Sequence, residues 1–243
     1  MANMTIVNDY EELSKLTAER LISFIQEKND AVVCLAGGQT PLGFFKEFIK
    51  QVNEFSVLLD KVTFVGLDEW VGVNGDTVGS CRHTLNEYFF YPLEIKENQI
   101  LFFDGTVTPI EKEKERVRKE LNALNGIDFM VLGIGRNGHL GFNEPHVSME
   151  EEVQIVPLEQ STIEDSGGKI EYDGKLSSGI TLGMRAITSA DQLIAIASGE
   201  KKASIIKKVI EGNVTDGVPA SLLQKSKKME FILDKSASQE LNQ

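Results

Sequence analysis

Basic residues are in short supply: 25 Lys+Arg stand against 37 Asp+Glu, a formal net charge of −12 over 243 residues. Such a chain lacks the broad basic surface that nucleic acid or an anionic membrane requires. A small anion is a different matter, because a few local cations or helix N-terminal N–H groups suffice to hold one. Cysteine is nearly absent: Cys34 and Cys81 cannot build a disulfide framework, and neither belongs to a C-x-x-C pair. The three histidines, His83, His139 and His146, show no zinc-type spacing with these cysteines, so no metal site is expected. No apolar run approaches the roughly 20 residues that span a bilayer. The opening MANMTIVNDYEELSK is acidic and polar, unlike a signal peptide, which makes cytoplasm the expected compartment. No G-x-S-x-G elbow is present, so nucleophilic hydrolysis has little support.

What is there is an ordinary globular composition, 41% hydrophobic and 26% charged. Short apolar runs alternate with helical patterns. Tyr10 to Lys28 carries Leu13, Leu16, Ala18, Leu21, Ile22 and Ile25 at helical spacing. Ala31–Ala36 then reads as a buried strand, with a helix from about Pro41 to Val52 after it. The alternation continues with strands at Val62–Leu67, Ile100–Phe103 and Ile127–Leu132, and helices at Cys81–Phe90 and Pro109–Leu124. Strands at Gly179–Leu182, Gln192–Ala197 and Met229–Leu233 follow, with a helix at Lys201–Glu211 before the last. This order predicts an α/β fold: a single open, mainly parallel twisted sheet with helices on both faces, Rossmann-like, in one domain spanning 1–243. The one irregular stretch, Gln160 to Ser178, reads as a surface excursion over the sheet, able to act as a lid.

Ligands of open α/β sheets bind beyond the carboxyl ends of the strands, so the loops there carry the chemistry. Gly37-Gly38-Gln39-Thr40-Pro41 joins a strand to a helix, and its glycines let backbone N–H groups approach an anion. The same residues also suit a plain tight turn. Asp68 and Glu69 follow a strand directly, beside Trp70, whose apolar bulk can raise a carboxyl's proton affinity. Gly133-Ile-Gly-Arg-Asn-Gly138 matches G-x-G-x-x-G, but Gly141 and Pro145 deny it the helix that a dinucleotide site needs. It reads better as a long loop presenting His139, Asn143 and Glu144.

Leu67-Asp-Glu-Trp-Val71, Gly135-Arg-Asn-Gly-His-Leu-Gly-Phe-Asn-Glu-Pro145 and Gly37-Gly38-x-Thr40-Pro41 together resemble the glucosamine/galactosamine-6-phosphate isomerase (deaminase) family. The similarity runs in register from about Asp30 to Leu233. Related 6-phosphogluconolactonases share the fold but lack Phe-Asn-Glu-Pro and carry Asp-Glu-Arg where Asp68-Glu-Trp70 stands, which argues against that hydrolase. A sugar-phosphate sensor is a third reading, and the DNA-binding segment expected of one is not evident. Within the family, Trp70, Gly79-Ser-Cys81, Gly179–Gly183 and Pro219-Ala-Ser221 look nearer the galactosamine-6-phosphate branch.

The resemblance implies that Asp68 moves a proton between C2 and C1 of the open-chain sugar. It implies that His139 opens the pyranose ring and that Glu144 orients His139, with Asn137 standing where some members carry Asp. Gly37, Gly38, Gln39, Thr40 and Lys202 are the implied phosphate ligands, and Glu69 and Trp70 belong to the substrate pocket. The family's frequent arginine near Ser166–Lys169 is missing, leaving Lys169 as its substitute. No metal or organic cofactor is implied, and the partner is a small sugar phosphate, with a homo-oligomer as a possible assembly.

Overall fold

The computed structural model describes residues 3–166, 169–226 and 228–242. The strands are β1 (Asn3–Val7), β2 (Val32–Leu35), β3 (Thr63–Gly66), β4 (Asp68–Trp70) and β5 (Ile100–Leu101), followed by β6 (Phe129–Gly133), β7 (Val153–Pro157), β8 (Ser178–Leu182), β9 (Gln192–Ala197) and β10 (Met229–Asp234). The helices are α1 (Tyr10–Glu27), α2 (Leu42–Phe55), α3 (Cys81–Leu85), α4 (Glu111–Ala123), α5 (Gln160–Ser166), α6 (Met184–Ser189), α7 (Ala203–Glu211) and α8 (Lys235–Ser238). A π-helical turn, Asn86–Phe90, extends α3, and a 3-10 turn, Glu200–Lys202, leads into α7.

Seven strands form a sheet in the order β1-β10-β9-β6-β2-β3-β5. Every neighbouring pair in it is parallel. Strands covered on both faces must be apolar throughout, and β2, whose four residues are all buried, shows it. Helix α1 packs through Leu13, Leu21, Ile22 and Ile25, its expected apolar face, and Asp9 caps it by accepting from the Glu12 N–H at 2.9 Å.

The structure departs from the sequence reading in one architectural respect. Gly179–Leu182 leaves the main sheet and pairs in a second, antiparallel sheet of order β4-β8-β7. Other differences are local. The third expected strand stops at Leu101, although Phe102 and Phe103 remain buried. Lys201 and Lys202 sit in a 3-10 turn rather than in the helix proper. The stretch expected to be irregular opens with α5, and Gly167 and Gly168 within it lie outside the described residues.

Phenylalanine supplies much of the core. Phe89, fully buried, has the rings of Phe45, Phe48, Phe64 and Phe90 at centroid distances of 5.2, 5.3, 5.3 and 5.8 Å. It thereby joins α2, β3 and the π-helical turn. Phe89→Ala should cost about 3–5 kcal/mol, from lost transfer energy and an uncollapsed cavity. The change is read as a lower urea midpoint with unchanged slope, and a loss below about 1 kcal/mol would mean that the aromatic cluster re-closes.

Candidate active site

Strand order reverses between β2 and β6: β3 and β5 lie on one side of this pair, and β9, β10 and β1 on the other. The chains leaving β2 and β6 therefore diverge and open a crevice at their carboxyl ends. A cleft of about 630 Å³ occupies that position, walled by Gly37–Pro41 after β2, Asp68 and Trp70 after β3, and the loop after β6. A larger and more open groove of about 820 Å³ lies beyond Gln39–Gly43, lined by Tyr10, Lys46, Ile49 and Tyr88 among others. It lacks the convergence of titratable groups found in the first.

Gly37 and Gly38 serve different ends. A Cβ on Gly37 would stand 2.5 Å from the carbonyl oxygen of Cys81, so the loop and α3 approach as closely as backbone allows. Gly38 has open space where its side chain would be. Tyr10 fixes the far end of the loop, donating to the Thr40 carbonyl at 2.7 Å and accepting from the Gly43 N–H at 2.8 Å. Lys202 lines the same cleft, with its ammonium 2.6 Å from the Ile134 carbonyl. Burial lowers its proton affinity, against the attraction of Asp165. A desolvated ammonium with one carbonyl partner is well suited to an incoming anion.

Asp68 and Glu69 part company because β4 alternates. Asp68 and Trp70 face the cleft, while Glu69 faces away and is fully buried. Its carboxylate accepts from the N–H groups of Trp70 at 2.9 Å, Cys81 at 3.0 Å and Arg82 at 2.9 Å, tying β4 to the start of α3. The expectation that Glu69 lines the substrate pocket is therefore corrected: it anchors the wall from behind. Burial, reinforced by the neighbouring Glu69 charge, pushes the Asp68 carboxyl up to about 7. A carboxyl with that affinity can take up a proton and release it again near neutrality.

The loop after β6 holds His139 against the backbone of Gly135. A Cβ on Gly135 would collide with the imidazole, so only glycine admits the ring there. His139 Nδ1 lies 3.6 Å from Glu144 Oε2 and 3.5 Å from the Thr162 hydroxyl. Asn137 donates to Glu144 Oε2 at 2.8 Å, and its own carbonyl accepts from the His139 N–H at 3.1 Å. Burial opposes charge on Glu144, but hydrogen bonds with His139, Thr162 and Asn137 prevail and hold it down to about 2. Glu144 is thus a fixed anion behind the imidazole, an arrangement that keeps Nδ1 protonated and leaves Nε2 for the cleft. Asn143 is buried and structural, donating to the Leu140 and Leu182 carbonyls at 2.7 and 2.8 Å.

The structure brings Asp68, Trp70, His139, the Gly37–Thr40 loop and Lys202 into one cleft, with Asn137 and Glu144 behind the imidazole. Sequence reasoning missed Arg136, Thr162 and Asp165, which line the same cleft. Arg136 stood inside the glycine-rich loop already singled out. Thr162 and Asp165 lie in the stretch read as irregular, where nothing marked which side chains turn inward. Lys169 does reach the cleft wall, as does Lys201. Among the described residues no group of three or more His, Cys, Asp or Glu is placed to hold a metal ion, and no helix is long and apolar enough to cross a membrane.

Fold and cleft together define an α/β protein in which a glycine loop, a lysine, a buried carboxyl and an imidazole converge at the sheet's switch point. The chain belongs to the family described as glucosamine-6-phosphate isomerases/6-phosphogluconolactonase, whose model matches residues 9–232. It is similar to glucosamine-6-phosphate deaminases from Clostridium acetobutylicum and Clostridium perfringens. The first is 37% identical over 97% of this chain and 98% of that protein. The second is 34% identical with the same coverage. Its fold superimposes on that of a monomeric glucosamine-6-phosphate deaminase with a TM-score of 0.94 and 30% identity, covering 98% of this chain and 99% of the other. The 6-phosphogluconolactonase of Leishmania guyanensis, at 17% identity and a TM-score of 0.80 over the full length of both chains, shares the fold.

The raised Asp68 affinity has a stability consequence. Between the ordinary value of 3.8 and the folded value of about 7, the folded chain keeps a proton that the unfolded chain has released. Stability therefore falls as pH rises through that window. Asp68→Asn removes the loss, by at most about 4 kcal/mol at pH values above the window. The melting-temperature advantage of the variant over wild type should grow between about pH 5 and pH 8. An advantage that does not change with pH would place the Asp68 proton at its ordinary affinity.

Proposed function

We propose that this protein converts an amino-hexose 6-phosphate to the ketose 6-phosphate with release of ammonia, and that its substrate is glucosamine 6-phosphate, giving fructose 6-phosphate. The observation that carries the reading is the pairing, across one anion-binding cleft, of a carboxyl poised near 7 at Asp68 with the Glu144-backed imidazole of His139. The galactosamine preference drawn from Trp70 and Gly79-Ser-Cys81 gives way here. The relatives matched over nearly their full length are named for glucosamine, which supports that epimer better.

In this reading the phosphate sits on the Gly37–Thr40 loop with Lys202, which holds the sugar chain across the cleft toward Asp68. His139 passes a proton to the ring oxygen, and the pyranose opens to the aldehyde. Asp68 takes the C2 proton while O1 gains a proton, leaving an enaminol, and it then returns its proton to C1 as the nitrogen gives one up. The C2 imine then adds water and expels ammonia, so the overall change consumes one water and no redox equivalent. Proton transfers carry the ring opening and isomerisation, water addition and C–N cleavage complete the change, and no cofactor enters the mechanism. Cytoplasmic location and a small-molecule partner accord with this chemistry.

The direct test is an ammonia-release assay on both epimers, with glucosamine 6-phosphate expected to give the higher kcat/KM. Acid released from 6-phosphogluconolactone without ammonia from either amino sugar would support the hydrolase instead. Asp68→Asn should lower kcat by about 100- to 10,000-fold with little change in KM, because the base acts only in the transition state. In wild type, kcat/KM should fall as pH drops below about 7, where the base takes up its proton. Near-normal turnover of the variant would remove Asp68 from the mechanism.

Lys202→Ala should chiefly raise KM, since a phosphate contact holds substrate and transition state alike. The single tryptophan, Trp70, lies in the same cleft and offers a fluorescence readout of inorganic phosphate binding. Unchanged KM and phosphate affinity with a lower kcat would assign the lysine to the proton transfers.

A further inference from the structure

Ring opening by His139 does not by itself explain why a short helix from the 160–178 stretch lies against the loop after β6. Glu159 opens α5, its carbonyl accepting from the N–H groups of Thr162 and Ile163, each at 3.1 Å. Residues 159, 162 and 165 are three apart and share one face of that turn. All three meet the catalytic loop. Glu159 Oε2 accepts from Asn137 at 2.9 Å, the Thr162 hydroxyl lies 3.5 Å from His139 Nδ1, and Asp165 pairs with Arg136 at 2.7 Å. A fourth contact is made by backbone: the Glu159 N–H donates to Glu144 Oε1 at 3.3 Å.

Asn137 is the centre of this arrangement. Its amide nitrogen donates to two carboxylates at once, Glu144 at 2.8 Å and Glu159 at 2.9 Å, while its oxygen accepts from the His139 N–H. Those partners fix which way the amide points, because only an NH2 group can face two acceptors. An amide so held cannot rotate, and Glu144, which it holds in turn, is the group aimed at His139 Nδ1.

We propose that Glu159 is a positioning residue of the proton-transfer machinery, acting through Asn137 to hold Glu144 against His139 when α5 lies on the loop. The proposal rests on the ring-opening role given to His139 above. Glu159 touches neither substrate nor reacting atoms in that mechanism. Its carboxylate orients the Asn137 amide, and its N–H occupies the second oxygen of Glu144. Thr162 contributes from the next turn. Glu144 therefore takes donors from the α5 segment as well as from its own loop, so the imidazole is fully supported only with α5 in place.

The charges give the test its sign. Glu159→Gln keeps the shape and the helix cap but weakens a charge-assisted hydrogen bond, and kcat should fall about tenfold with KM nearly unchanged. Asn137→Asp places a third carboxylate between the other two, and its kcat should fall by about 100-fold. In that background Glu159→Gln should raise kcat, because the new side-chain amide can donate to the new carboxylate and one repulsion disappears. A residue that serves only as a helix cap or surface contact would give two losses that add.

Imidazole nitrogen NMR at about pH 8 supplies a readout independent of turnover. Wild-type His139 should hold its proton on Nδ1, and the Glu159→Gln variant should show a larger share on Nε2. Additive losses in the double variant, or unchanged kcat for Glu159→Gln, overturn the proposal. If wild type releases no ammonia from either amino sugar, the functional reading falls and the tautomer populations alone decide. Equal populations in wild type and Glu159→Gln then overturn the positioning role, and a shift toward Nε2 upholds it.

Discussion

The backbone of Leu67 ties the two sheets together. Its N–H donates to the Leu35 carbonyl at 3.0 Å, continuing the parallel ladder of β2 and β3. Its own carbonyl accepts from the Leu182 N–H at 2.9 Å, beginning the antiparallel ladder with β8. One residue thus closes the large sheet and opens the small one. Asp68 is the first residue beyond the joint, paired with Thr181 across β8, so both ladders determine its position. The Thr181 hydroxyl reinforces the seam by donating to the Leu67 carbonyl at 3.3 Å. A carboxyl carried on a free loop could swing into water, whereas this one is held where burial governs its proton.

That rigid wall makes sense only with the strand reversal beside it. Four adjacent strands, β9, β6, β2 and β3, send their following residues over one crevice, and each brings a different chemistry. The residues after β2 give exposed N–H groups, those after β3 the buried carboxyl, those after β6 the imidazole with its anion, and those after β9 the lysine. The cations of the cleft also set it apart from the molecule's charge of −12. Arg136, Lys169, Lys201 and Lys202 gather around a loop of backbone donors, so the local field favours an anion that the surface as a whole repels.

Much of this was legible in the sequence, for identifiable reasons. Buried parallel strands must be apolar on both faces, so β2, β6 and β9 stood out as apolar runs, and β10 did so despite Glu230. Loops after strands are where ligands meet an open sheet, so the convergence of Asp68 and His139 on one cleft, with Glu144 beside the imidazole, could be anticipated. The antiparallel sheet was not legible. β4 is only three residues long and begins with two acids, which reads as a strand end, and β7 mixes Gln154 with valines in a way that fixes no period. β1 went unread because its five residues include Asn3 and leave Met4 and Ile6 exposed at the sheet edge. The inward side chains of α5 were hidden for another reason. A polar seven-residue helix has no apolar stripe to orient it, and only contact with the loop after β6 shows which face turns in.

Glu69 was misplaced although the rule that places it is simple, and the reason bears on the chemistry. Adjacent acids at a strand end look equivalent in a sequence, yet two-residue alternation gives them opposite surroundings. Burial pushes both carboxyls up, and their mutual repulsion lets them share only one negative charge comfortably at neutral pH. Glu69 faces three backbone N–H donors, which stabilise its charged form directly. Asp68 faces the cleft beside the Cys81 thiol, and among the described residues no backbone N–H donates to its carboxylate. The charge therefore settles on Glu69 and the readily exchanged proton on Asp68. A neighbouring anion fixed in this way keeps Asp68 from becoming a weak base, since relaxing it toward 3.8 would require either solvent or donors that β4 directs to the other face. The pair divides one structural duty and one chemical duty between two consecutive residues, and the pleat of a three-residue strand decides which is which.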